Sequence, residues 1–258
     1  MDVFEEIIRA KKHGESVVLA TVVDSKGSAP RTAGARMLIK KDGTILGSIG
    51  GGAIEKTVVD EAKGIAGTEQ TKLFAYDLGK DLGMSCGGRM SIFLEPLMPP
   101  AHLIIFGAGH IGTALAQLGR LLDFHVTVID NRAEFANEKR LPFADHVIVG
   151  NYGDILPEIK FHVETFIVLV THGHAHDQEI LEYCIQQPFK YLGMIGSKTK
   201  VAAALKKLSE KGVTEEKIAT IHSPIGLDIG ADTPAEIAVA IAAEIIAIKK
   251  NVDISSFE

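Results

Sequence analysis

Cysteine is scarce: Cys86 and Cys184 are the only two in 258 residues. Two thiols so far apart make no disulfide framework, which excludes the cross-linked folds of small secreted chains and points to the cytoplasm. Positive charge is also short, with 27 Lys and Arg against 33 Asp and Glu and a net charge of −6. Without a cluster of Lys or Arg there is no electrostatic footprint for nucleic acid or a membrane surface. No apolar run approaches the roughly 20 residues that span a bilayer. The opening "MDVFEEIIRAKKHGE" lacks the basic-then-apolar order of a secretory signal. What is present, 46% hydrophobic and 23% charged residues, gives ample core for one large domain or two ordinary ones.

Prolines in "LMPPA" divide the chain near residue 100. Residues 1–97 read as a mixed α/β unit. Asp2 and Glu5 form a capping box for a helix with Val3, Phe4, Ile7 and Ile8 on one face, stopped by Gly14. "SVVLATVV" is a strand, "DSKGSAPRTAGA" a loop, and "RMLIKKDGTILGSI" a hairpin turned at Asp42-Gly43. "GGGAIEKTVVDEAKGIAG" bends into a helix, and "TKLFAYDL" and "RMSIFLEP" are two further strands. In residues 101–258 short Val/Ile-rich runs alternate with helices, the pattern of a parallel sheet with crossover helices. A last helix begins with Thr233, Pro234 and Glu236 and is apolar nearly all round, so it is expected to be buried, against the core or another protomer.

Directly after the division, "LIIFGAGHIGTALA" sets Gly107, Gly109 and Gly112 between a strand and a helix, and the next strand ends in Asp130. In that context the glycines give a tight turn, close approach of a pyrophosphate, and close helix–strand packing, and the carboxylate is placed for a ribose hydroxyl. This is a Rossmann-like unit suited to NAD(P) or another adenine nucleotide; glycines serving only chain packing are the alternative.

"VLVTHGHAHDQE" places His172, His174, His176 and Asp177 after a buried strand, on the sheet edge where ligands bind. His172, His174 and Asp177 form a candidate Zn or Mn ligand set. A polar loop lining a pocket without metal is the preferred reading. "GMIGSKTK" places Ser197 and Lys198 at a helix N-terminus that suits an anion, or is simply a cap. "HSPIGLDIGADTP" is long for a simple connection, and long loops at such an edge tend to be functional.

The first half holds three anion-friendly loops. "GSAPRTAGA" offers Arg31 on a rigid turn. "GSIGGGAIE" puts Gly50, Gly51 and Gly52 before a helix, with Glu55 in its first turn either as a cap or for a ligand's amide edge. "GMSCGG" surrounds Cys86 with Ser85, Gly87 and Gly88, which shield little and let a large ligand approach a soft sulfur. Cys184, on an apolar helix face in "EILEYCIQ", reads as inert core.

Taken in order, "ATVVDSKGSAPRTAGARML", "GSIGGGAIE", "GMSCGG", "FGAGHIG", "THGHAHD", "GMIGS" and "SPIGLDIGADTPAEIAVAI" closely resemble the XdhC/CoxI family of xanthine dehydrogenase accessory factors. The resemblance implies an XdhC/CoxI-type domain over 1–97 and a Rossmann-like domain over 101–258. It also implies a chaperone, not a catalyst, that binds the molybdenum cofactor (molybdopterin), protects it during sulfuration and delivers it to an apo molybdenum hydroxylase. A cysteine desulfurase partner and a homodimer are expected with it. Gly173 stands where the family pattern leads one to expect an acidic residue, which weakens the metal reading. An NAD(P)-dependent oxidoreductase and a metallohydrolase are the alternative functions.

Overall fold

The structure, a computed structural model, describes residues 2–68, 70–83 and 87–253; the side chains of His174 and Ala175 lie outside it. The chain separates into two compact units, Met1–Pro99 and Pro100–Glu258. Among the described residues no helix is long and apolar enough to cross a membrane.

The first unit is a five-stranded antiparallel sheet with two helices. In chain order these are α1 (Val3–Lys12), β1 (Val17–Lys26), β2 (Arg36–Lys40), β3 (Ile45–Gly47), α2 (Gly52–Lys63), β4 (Lys72–Asp77) and β5 (Arg89–Leu97). The sheet order is β3-β2-β1-β5-β4. Central β1 is buried on both faces over Val17, Val18, Leu19 and Ala20. Successive strand residues face opposite sides, so Val18 and Ala20 join Ile54, Val58 and Ala62 of α2, while Val17 and Leu19 join Ala10 of α1. The Asp2–Glu5 capping box forms as read. The apolar face of α1 is narrower than its sequence implies, because Phe4 and Ile8 stay half exposed. Glu6 is buried instead, with its carboxylate drawn to about 2 by hydrogen bonds from Arg9 and Lys40. β1 runs on through "DSK", read as loop, because β5 keeps pairing with it past a bulge between Val22 and Asp24.

The second unit contains β6 (His102–Phe106), α3 (His110–Leu121), β7 (His125–Asp130), β8 (His146–Val149), α4 (Tyr152–Ile155), β9 (Thr165–Leu169), α5 (His174–Cys184), β10 (Tyr191–Met194), α6 (Lys198–Glu210), α7 (Glu215–Ile218), β11 (Ile221–His222) and α8 (Pro234–Lys249). Its six strands are ordered β11-β10-β9-β6-β7-β8 and all pair in parallel. Counted within the unit this is 6-5-4-1-2-3, the doubly wound order whose switch point lies between the first and fourth strands. α3 and α8 pack on one face of the sheet. α4, α5, α6 and α7 pack on the other, where Cys184 is wholly buried and burial pushes its thiol pKa up. Within this chain α8 is not buried all round: Val239 and Ile246 are exposed, whereas Glu244 is buried.

Candidate functional site

In the first unit three loops come together. A Cβ at Gly50 would lie 2.6 Å from Pro30 Cγ, and one at Gly88 would lie 2.8–2.9 Å from Ser28 C, Ala29 N and Lys26 O. The turn at 50–52 and the segment 87–88 therefore both lean on the loop that carries Arg31, and side chains are excluded at the points of contact. Gly51 and Gly52 have φ of +77° and +63° and, among the described residues, face no other group within 4 Å at the Cβ position. Glu55 is turned back into its own helix start. Its Oε1 accepts from Ser48 Oγ (2.7 Å), Gly51 N–H (2.9 Å) and Ile49 N–H (3.1 Å). Burial raises the pKa of this carboxyl, but those three donors outweigh it and the net shift is downward. Among the described residues no side chain caps the first amides of α2. Arg31 is exposed and has no carboxylate partner among the described residues. Cys86 lies outside the described residues; Gly87 and Gly88 lie within them.

In the second unit the glycine turn sits at the switch point. A Cβ on Gly107 would lie 2.3 Å from the Val170 carbonyl, and one on Gly112 would lie 1.8 Å from the Gly107 carbonyl. Those two glycines are thus used by the chain itself, for strand approach and helix–turn packing. Gly109 alone opens onto space, at the start of α3, whose first turn has no side-chain cap. Asp130 ends β7 and is 1% exposed. Its oxygens accept Ala108 N–H at 2.7 Å and, in a fork, Arg132 Nε at 2.9 Å and Nη2 at 2.8 Å. Burial raises its pKa and Arg132 with the amide donors more than reverses that. Sequence reasoning overlooked Arg132, although Asp-x-Arg after a strand was there to be read. The Arg132 guanidinium also lies over the Phe135 ring, 4.1 Å from its centroid.

The histidine run is not a loop: His174, His176 and Asp177 fall in the first turn of α5. The hydrogen-bonded turn extends three residues further back than the apolar pattern shows. Asp177 is buried and accepts Thr171 Oγ at 2.6 Å. His176 lies against the Tyr152 ring, and His172 is exposed. Among the described residues no group of three His, Cys, Asp or Glu is arranged to hold a metal. Ser197 precedes α6 as its N-cap without a side-chain cap bond. The loop after β11 is anchored rather than open. Glu244 Oε2 accepts Gly226 N–H at 2.9 Å and the Tyr191 hydroxyl, while Oε1 lies 3.1 Å from His222 Nδ1.

Residues 103–245 match the XdhC Rossmann domain, and residues 10–77 match the XdhC and CoxI family. Among curated proteins, YqeB of Escherichia coli K12 is 35% identical over 256 residues, 97% of this chain and 47% of that protein. This chain thus spans about half of that relative's length. A Bacillus subtilis protein, named as a probable component of xanthine dehydrogenase, is 27% identical across 92% of this chain and 94% of its own. The molybdenum cofactor insertion chaperone PaoD of Escherichia coli K12 is 22% identical across 94% of this chain and 86% of its own. The crystal structure of a xanthine dehydrogenase from Bacillus halodurans shares the fold, with a TM-score of 0.53 at 23% identity over 99% of this chain and 98% of that one. One family description covers the parallel-sheet unit from β6 into α8, and a second covers most of the antiparallel unit. On that match the chain belongs to the XdhC and CoxI family.

Proposed function

We propose that this chain carries the molybdenum cofactor as cargo, shields it during sulfuration by a cysteine desulfurase, and hands it to an apo molybdenum hydroxylase of the xanthine dehydrogenase type. The observation that carries this reading is the meeting of the Arg31 loop, the 50–52 turn and the 87–88 segment in the first unit. The name of PaoD, a molybdenum cofactor insertion chaperone similar to this chain over nearly all of its length, supports it. The residues fit a phosphorylated pterin. Arg31 offers an exposed guanidinium fork, and the uncapped start of α2 offers N–H groups beside the open Gly51 and Gly52. Glu55 holds that turn in shape, Gly88 packs against the backbone of the Arg31 loop while Gly87 meets no group within 4 Å at its Cβ position among the described residues, and the Cys86 thiolate is the soft ligand assigned to the metal end on this reading. The chain's part is to bind, orient and exclude water from the cargo, as a homodimer.

A Cys86→Ala variant keeps its fold and loses cofactor retention or delivery, whereas Cys184→Ala does neither. Pterin fluorescence of protein purified from cofactor-producing cells, with activation of an apo-hydroxylase, checks both. Normal retention and activation by Cys86→Ala would end this assignment of the thiol.

A second reading, that the parallel-sheet unit binds NAD(P) or another adenine nucleotide, rests on Gly109 and the uncapped α3. The binding is weak on this reading, because the Asp130 carboxylate is already held by Arg132 and Ala108 N–H. Calorimetry with NAD, NADP, FAD and ATP tests it, and four flat titrations make the glycine turn purely architectural. Any metal at His172, His174 and Asp177 is adventitious or structural in this scheme. One equivalent of Zn or Mn, lost together with activity in His174→Ala, overturns that.

A further inference from the structure

β4 forms one edge of the five-stranded sheet. With six residues it is the longest edge strand among the described residues; β3, β8 and β11 have three, four and two. Along an antiparallel strand, alternate residues point their amide and carbonyl to opposite neighbours. Leu78 N–H donates to the Gly88 carbonyl at 2.8 Å, so the even residues of this segment bond to β5 and the odd ones point outward. At Asp77 the outward pair is already used. Its carbonyl accepts Asp81 N–H at 2.8 Å, and its own N–H donates to Asp81 Oδ2 at 2.8 Å. At Leu73 and Ala75, and at Thr71 just before the strand, no hydrogen bond among the described residues uses the outward pair.

Sheet edges are ordinarily closed by proline, a bulge or an inward-pointing charge. β4 has no proline, and its register with β5 is unbroken from Lys72 to Asp77. Leu73, in the middle of the open row, is 66% exposed. Lys72 is turned to Glu61 at 3.6 Å and lies over the Phe74 ring, 5.8 Å from its centroid.

Such a row can pair with itself. An antiparallel copy related by a two-fold axis at Leu73 sets Leu73 against Leu73, and Thr71 against Ala75 on each side. Every outward N–H of the three residues in each copy then meets a carbonyl. An axis at Phe74 would instead bring Thr71 against the occupied Asp77. With the axis at Leu73, Lys72 of each copy stands opposite Phe74 of the other. Two Lys72–Glu61 ion pairs then flank the axis, so neutralised pairs meet there and not bare like charges.

We propose that two copies of this chain associate edge to edge through β4, antiparallel about an axis at Leu73, so that their sheets run on as one. This inference rests on the homodimer proposed above and gives it an interface; cargo binding does not enter it. A strand edge alone buries less than the roughly 1,200 Å² of a standard interface, which makes the dimer weak and concentration-dependent.

Sedimentation equilibrium of the full chain from about 5 to 500 μM reads the association. Hydrogen exchange reads its place. A monomer–dimer equilibrium is expected, with the Leu73 and Ala75 amides exchanging several-fold more slowly at the high concentration. Ala75→Pro removes an outward N–H without touching the ladder to β5, and Leu73→Lys sets two ammonium groups face to face on the axis. Each weakens association about tenfold or more. Circular dichroism reports folding, and the exposed Leu73 keeps its variant informative where Ala75→Pro does not fold. A chain that stays monomeric throughout overturns the interface and the homodimer together. A dimer of unchanged strength in Leu73→Lys, or one with unprotected Leu73 and Ala75 amides, overturns the interface and leaves the homodimer to another surface.

Discussion

Glu55 marks the limit of what single residues disclose. Its place in the first turn of α2 is legible, but a capping role and a ligand-facing role are equally compatible with the spelling "GSIGGGAIE". The backbone decides, because the chain from Ser48 to Gly51 curls so that three donors converge on Oε1. Glu55→Ala leaves the Ile49 and Gly51 amides without that acceptor and should destabilise the first unit by about 1–3 kcal/mol. Urea unfolding followed by circular dichroism measures it, and an unchanged midpoint would show that water replaces the carboxylate without loss. The pH sense follows from the lowered carboxyl pKa. The contribution is complete above the ordinary glutamate value of 4.5 and fades as acid protonates the folded form below it. Asp130 is a parallel case: its position at a strand end was legible, but its engagement by Arg132 depends on a side-chain orientation that spacing does not encode.

Elements with local chemical signals were the legible ones. Both capping boxes, Asp2 with Glu5 and Thr233 with Glu236, form as spelled, and Asp42-Gly43 turns the β2–β3 hairpin with Gly43 at φ +86°. Elements defined by distant partners were not. β1 is lengthened by β5, and the two-residue β11 exists only because β10 is beside it. The apolar face of α8 hid the function of its one buried acid. Glu244 ties the loop after β11 to the helix through Gly226 N–H, and ties β10 to it through Tyr191. Burial raises the Glu244 pKa, and the donors His222, Tyr191 and Gly226 bring it below the usual value. Tyr191→Phe removes one donor from a buried carboxylate and should cost about 1–3 kcal/mol. Faster hydrogen exchange at the Gly226 amide should accompany it; unchanged exchange in a destabilised variant would place the loss elsewhere than in this tie.

At the scale of the whole molecule, the alternation of strands and helices was enough to give a parallel sheet with crossover helices, because each crossover is local. The antiparallel order of the first unit was not legible, since β1 pairs β5 across most of the unit's length. Neither was a row of imidazoles across the amino edge of the parallel sheet. His102, His125 and His146 each open a strand, and their rings stand 5.1 and 5.0 Å apart, with His162 stacked 6.1 Å from His102 on the other side. The other groups at this edge are Asp145, held by Arg120 and His125, and Glu164, held by Lys190. Thr127 Oγ1 lies 2.8 Å from His102 Nε2. Burial, then the neighbouring His125, His162 and His146, lower the His102 pKa to about 3; Asp145 opposes this weakly. His162 is lowered in the same sense by burial and His125. A histidine with a depressed folded pKa favours folding above its unfolded value near 6.5 and loses that contribution as the pH falls toward the folded value. Between pH 7 and 5 the His102 share alone is about 2 kcal/mol. His102→Gln should therefore flatten the acid side of the stability profile of the second unit while leaving an amide near Thr127. Urea unfolding at pH 5 and pH 7 checks this by circular dichroism. Equal loss of stability between the two pH values in the variant and the original chain would mean that water reaches the row and that the edge titrates as ordinary surface.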